Sequence, residues 1–282
     1  MNKEKFLIKL SVIAFAVIFL FSNVYADNGK RIIGARANGM SDVSVSIVDF
    51  WSCANNQATL GFYERIAVGA SYDNKFLLKN TSIASVGVVV PVKKIGVISC
   101  NMQFYGGTGY GNFLVGLCYS RSFGKVISAS LQFDYLLNYF GDAYYGKRNG
   151  FTFEIGLYGR VTKNFSLGFH VYNPARLRMI TYNDVKEYIP TVFRLGGSYR
   201  FGEKCLLGID LIKDLDTRFQ VATGLEYRFA DYLVLRGGVK FPDFSFSLGL
   251  GTQVKGIQID ISSSYHTVLG YSPQLSIVYQ IK

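Results

Sequence analysis

Strict alternation of apolar and polar residues recurs along most of this chain and constrains what it can fold into more than any other feature. In Phe151–Val161, Phe151, Phe153, Ile155, Leu157 and Val161 alternate with Thr152, Glu154, Gly156, Tyr158 and Arg160. In Ile127–Tyr139, the odd-numbered positions carry Ile127, Ala129, Leu131, Phe133, Tyr135, Leu137 and Tyr139, opposed by Ser128, Ser130, Gln132, Asp134 and Asn138. Phe219–Phe229 and Phe244–Leu250 repeat the pattern. A period of two marks β-strands with one apolar face. A helical membrane protein needs apolar runs of about 20 residues, and only the extreme N-terminus approaches one.

Read this way, the chain holds about fourteen strands of roughly nine to twelve residues, the span that crosses a bilayer at a tilt. The first is expected over 60–72 and the last over 273–281. An even number puts both chain ends on the periplasmic side. Alternate connections are very short, as at Thr162–Asn164, Gly202–Lys204 and Lys255–Gly256. The intervening ones, Phe140–Asn149, Asn173–Pro190, Leu211–Thr217 and His266–Pro273, are longer. That asymmetry belongs to an antiparallel up-and-down transmembrane β-barrel, as do Tyr and Phe gathered near strand ends. The fold expected is all-β.

The polar faces separate this barrel from a soluble one. A soluble sandwich turns Lys and Glu to water, and an ordinary domain is roughly 25% charged. Here charged residues make up 17% and hydrophobic residues 49%. The polar stripes are rich in Gly and Ser, with Asp134, Glu154, Arg160, Arg194, Arg200, Asp210 and Arg236 among them. Such faces fit a crowded lumen in which ions pair across a narrow space. The net charge of +11 comes without any run of clustered basic residues, so nucleic acid is not an expected partner.

Three segments follow. Lys3, Lys5 and Lys9 precede an apolar stretch to Phe21, then Val24-Tyr25-Ala26, which reads as a signal peptide over 1–26 cleaved after Ala26. Residues 27–59 are expected to form a hatch or plug, and 60–282 the barrel. Export permits disulfides, but parity puts Cys100 and Cys118 on opposite faces, and with Cys53 and Cys205 they read as small buried or lipid-facing residues.

Chemistry-bearing patterns are sparse. His170 lies on a polar stripe and His266 is expected to begin a loop. Asp260, Ser262, Ser264 and His266 share one face, a polar lumenal stripe rather than a catalytic array. Gly106–Gly111 lacks the Lys-Ser/Thr ending of a phosphate loop and reads as a hairpin. No enzyme, metal site or cofactor is expected.

Several segments together resemble the PorV/PorQ-type branch of the FadL superfamily of outer-membrane proteins. They are Gly34-Ala35-Arg36-Ala37-Asn38-Gly39-Met40, Asn56-Gln57-Ala58, Asn173-Pro174-Ala175-Arg176, Ile189–Gly196 around Arg194, and Tyr265–Gln274 with Gly270 and Pro273. The resemblance spans nearly the whole mature chain, with Gln57 where the family carries Pro. It implies a fourteen-stranded barrel with an N-terminal hatch in the cell outer membrane, embedded in outer-membrane lipid. It also implies one of two roles. The first is an accessory to type IX protein secretion or envelope assembly, with secretion-machinery or secreted proteins as partners. The alternative is uptake of fatty acids or other hydrophobic molecules. Arg176 and Arg178, in the longest loop, are candidate contacts for a partner, a lipopolysaccharide head group or a carboxylate.

Overall fold

The computed structural model describes residues 30–107, 109–141, 146–180 and 188–281. The signal-peptide expectation therefore lies outside the described residues.

Fourteen antiparallel strands close into one barrel, each paired with its neighbours in sequence and β1 pairing with β14. They are β1 (Ile66–Asn74), β2 (Ser82–Val92), β3 (Gly96–Gly106), β4 (Tyr110–Phe123), β5 (Ile127–Phe140), β6 (Lys147–Arg160) and β7 (Phe165–Tyr172). The second half comprises β8 (Val192–Phe201), β9 (Cys205–Asp214), β10 (Gln220–Ala230), β11 (Leu233–Phe241), β12 (Ser245–Val254), β13 (Ile257–His266) and β14 (Gly270–Ile281). Closure pairs every strand with two neighbours and leaves no edge strand, as a backbone in hydrocarbon requires.

The two faces sort as the alternation demands. Phe133 and Phe151 point outward, 63% and 62% exposed, while Gln132, Glu154, His170 and Asp210 point inward with no exposed surface at all. A soluble protein does not hide its ions and expose its phenylalanines all round. The outer face is the lipid-facing surface of a transmembrane barrel.

Expected boundaries move at several places, among them the loops Leu211–Thr217 and Phe140–Asn149, which become 215–219 and 141–146, and the first and last strands. The first strand begins at Ile66, not at residue 60, because Gln57–Phe62 form a 3-10 helix capped by the Asn56 side chain. Its residues 57 to 60 are all buried, so they lack the one-sided burial of a strand. The last strand begins at Gly270, not 273, which shrinks the expected His266–Pro273 loop to three residues and puts His266 inside β13. Gly270 takes a φ of 91°, the left-handed region this tight turn uses. The connections after β3 and β11 are equally short. The other connections at that end, 75–81, 141–146, 173–191 and 215–219, are all longer than the turns at the opposite end.

All four cysteines are unpaired. Cys100 pairs across the ladder with Leu117, one residue from Cys118, so the two thiols face opposite sides. Cys53 is buried in the N-terminal segment, where burial pushes its thiol up.

Candidate functional site

The segment before β1 fills the barrel interior. From residue 33 to 60 almost every side chain is buried, and its backbone runs against inward-facing glycines. A Cβ on Gly69 or Gly87 would strike the Phe50 ring, and one on Gly168 the backbone of Val45. A Cβ on Gly224 or Gly238 would strike Met40, and Gly249 lies against Gly39. The glycines that looked like a featureless polar stripe in sequence are thus the seats of the segment. Where a side chain would stand, they admit another backbone.

Buried charges hold the segment at three places. In the first, Glu154 takes the Lys30 ammonium on Oε1, accepts from Gln57 Nε2 at 2.8 Å, and meets His170 Nε2 at 2.7 Å. Gln132 Nε2 bridges Glu154 to Asp134, at 3.1 and 2.7 Å. Gln57 stands where the sequence resemblance would put Pro, and a Pro there would have no amide to donate to Glu154.

In the second place, Arg36 donates from Nε and Nη2 to both oxygens of Glu226 at 2.8 Å. Glu226 also accepts from Arg236, which donates onward to Asp260 at 2.7 Å. Burial opposes the Arg36 charge, but Glu226 and Asp49 outweigh it and raise its affinity for the proton above the ordinary guanidinium value. Asp260 is thereby committed to Arg236 and Gln258. His266, further along the same stripe, accepts from the backbone of Val268 and Leu269.

In the third place, Arg194 and Asp210 grip the backbone at Asp42, Ser44 and Val45. Breaking an ion pair this deeply buried strands a charge. Here the N-terminal segment shares the pair through Asp210 Oδ2 and Arg194 Nη2, while Arg194 Nε and Nη1 and Asp210 Oδ1 are buried without a hydrogen-bond partner among the described residues.

Nearer the end that carries the 173–191 connection, the interior changes character. Leu114, Leu136, Tyr172 and Val192 turn inward and cluster with Ile212 and with Met179 and Ile189 of that connection. Leu114 and Leu136 are ladder partners one inward step beyond Asp134, so the apolar layer begins directly above the ionic one. At its lower margin the Lys30 ammonium stands 5.1 Å from the Tyr172 ring centre, and Arg31 lies 3.9 Å over Tyr105.

The wall beside this apolar layer is also different. β7 ends at Tyr172, so residues 147 to 153 of β6 lose their strand partner there. The gap is closed by the connection itself. Ile180 and Asn149 exchange backbone bonds at 2.6 and 3.4 Å, and Asn173 N donates to Phe153 O at 3.0 Å. Asn173, with φ 52°, ties the connection together. Its side chain donates to Leu177 O and Ile189 O and accepts from Thr152 Oγ1 and Leu177 N.

The signature positions therefore fall in three regions. Gly34, Ala35, Arg36, Gly39, Asn56 and Arg194 lie where segment and wall meet: Gly34 would clash with Trp51 if it carried a side chain, Ala35 N donates to Ser276 Oγ, and Asn56 Nδ2 donates to Val45 O at 2.6 Å. Asn173, Pro174 and Ala175 open the wall-closing connection. Gly270 and Pro273 lie in β14, with Pro273 paired opposite Ser263. Arg176 and Arg178 are exposed on the connection and stack on Tyr188, the latter at 4.4 Å. Sequence reasoning did not single out Leu114, Leu136, Met179 or Ile189. The usable signal was an apolar residue at an inward, even-numbered position of β4 and β5.

Comparison with known proteins places this architecture. No family model matches the chain, and no curated protein matches it in sequence. Solved structures do match in fold. The Pseudomonas putida toluene transporter TodX superposes with a TM-score of 0.66 at 11% identity, covering 88% of this chain and 98% of that one. The Ralstonia pickettii toluene transporter TbuX gives 0.67 at 12%, covering 91% and 100%. A Pseudomonas aeruginosa FadL homologue gives 0.66 at 12%, covering 87% and 98%. The chain is a transmembrane β-barrel with the fold of these proteins.

Proposed function

We propose that this protein is an outer-membrane conduit for small hydrophobic molecules, with residues 27–59 serving as its hatch. The observation that carries the proposal is the apolar layer of Leu114, Leu136, Tyr172, Met179, Ile189 and Val192, set directly above a polar, ion-bound plug. Apolar side chains converging on one place with few polar groups are the usual lining of a site for an apolar ligand. The lateral wall of this layer is formed by a loop rather than by a strand, so it is the part of the barrel with the fewest ladder hydrogen bonds to break. In this reading a hydrophobic molecule partitions into this apolar layer, and passage requires the 173–191 connection or the hatch to move.

Two observations support this role over the secretion-accessory role that the sequence resemblance placed first. Two of the structures similar in fold are named as toluene transporters, and the apolar lumenal layer stands where a hydrophobic molecule entering the barrel would first meet the hatch. Sidedness follows from the even strand number, with the 173–191 connection extracellular and the shorter turns periplasmic.

Gentle purification from native envelopes, with mass spectrometry of proteins and lipids together, tests the proposal. It predicts a small hydrophobic molecule retained with the barrel. Stable co-purification of secretion components with no such molecule would return the accessory role to first place.

A further inference from the structure

The basic residues that are scattered in sequence converge at one end of the fold. At the periplasmic rim, where β1 and β14 close the barrel, a crevice of about 970 Å³ lies between residues 61–65 and the β2–β3 turn. Its charged lining is Arg65, Lys93, Lys94, Arg121 and Lys255, with Glu64 the single acid. All five cations are exposed. Arg65 donates to the Gln280 amide at 2.9 Å, and none of the five forms an ion pair among the described residues. This contrasts with the interior, where every site holding the hatch matches cation to carboxylate. Five cations and one acid around one concavity form a site with an unmatched positive charge.

The position of the crevice identifies the class of anion. Ile66 and Ile281, at outward positions of β1 and β14, also line it, 43% and 45% exposed, as does Ile95 of the β2–β3 turn, 53% exposed. The cations thus stand at the edge of the apolar belt, at the depth where hydrocarbon gives way to head groups. The same apolar-plus-cation pairing recurs around the rim. Phe123 precedes Lys125, Phe201 precedes Lys204, and Phe229 follows Arg228, each aromatic more than half exposed. A soluble anion would need no apolar neighbour. A phospholipid needs both, one for its acyl chains and one for its phosphate.

We infer that this crevice binds the phosphate of an anionic phospholipid from the periplasmic leaflet, with Lys93, Lys94 and Arg121 as the principal phosphate ligands. The inference rests on the membrane reading of the barrel and is independent of which molecule the lumen conducts.

Reconstitution of the full chain into vesicles of equal phosphatidylglycerol and phosphatidylcholine, followed by native mass spectrometry of the lipids retained, tests it. Wild type is expected to favour phosphatidylglycerol on the order of tenfold, given the attraction of several cations to one anionic head group. Lys93→Gln, Lys94→Gln and Arg121→Gln together should bring that ratio near one, whereas Lys93→Arg with Lys94→Arg should keep it. Lys79→Gln with Lys147→Gln, at the opposite end, should leave it unchanged. A heat-dependent gel shift reports that each variant forms the barrel. Equal retention of the two lipids by wild type, or an undiminished preference in the neutral triple variant, overturns the inference.

Discussion

Arg194 and Asp210 face each other across β8 and β9 at 2.9 Å, and both also bind the backbone of the N-terminal segment. Asp210 Oδ2 accepts from Ser44 N at 2.9 Å and Val45 N at 3.1 Å, while Arg194 Nη2 donates to Asp42 O and Ser44 Oγ at 3.0 Å. The pair is therefore a clamp on the hatch as much as a link between strands.

Removing one side of that clamp leaves a buried charge without its counter-ion. Arg194→Ala is expected to cost about 3–5 kcal/mol, and Arg194→Met with Asp210→Leu considerably less. The temperature at which the folded gel band is lost reads the difference. Equal losses for the single and double variants would mean the charge itself is not what matters.

The glycine seats predict a position-dependent cost for an added methyl group. Gly224→Ala pushes a Cβ towards Met40, 2.6 Å away, and should destabilise the folded protein by about 1–3 kcal/mol. Gly109→Ala, where nothing lies within 4 Å, should be close to neutral. Thermal unfolding of the two variants side by side makes the comparison, and similar midpoints would argue against tight seating of the hatch.

Asn173 makes four side-chain hydrogen bonds that hold the wall-closing connection. Asn173→Ala should loosen it, at about 0.5–1.5 kcal/mol for each bond lost. Trypsin cutting after Arg176 and Arg178 is the direct readout, with faster cleavage expected in the variant at unchanged barrel stability. Cleavage at the wild-type rate would show that Asn173 is not the tie.

Much of this architecture was legible before any coordinates. The period-two pattern separates inward from outward at nearly every strand position, because the pleat leaves a side chain only two directions. Strand ends were less legible where side chains are buried on all sides, as at Leu60, or where a turn is tight, as at Gly270. The site was the least legible part. Arg36 and Glu226 are 190 residues apart, and only barrel closure brings them together. The apolar layer depends on register between neighbouring strands, since Leu114 and Leu136 matter only once they stand side by side. Gln57 was visible as a departure from a pattern, but its bond to Glu154 belongs to the folded interior.

The central claim is that hydrophobic molecules pass through the apolar layer behind the 173–191 connection. Asn149 and Ile180 form an antiparallel pair exchanging both backbone bonds. Such pairs have Cα atoms about 5.5 Å apart, within the range a disulfide spans. Asn149→Cys with Ile180→Cys should therefore lock the connection to β6 when oxidised. Accumulation of a labelled aromatic hydrocarbon by vesicles carrying the protein is the measurement. The account predicts that uptake falls to the protein-free rate when the pair is oxidised and returns on reduction. Uptake unaffected by the lock, with the disulfide verified, would contradict it.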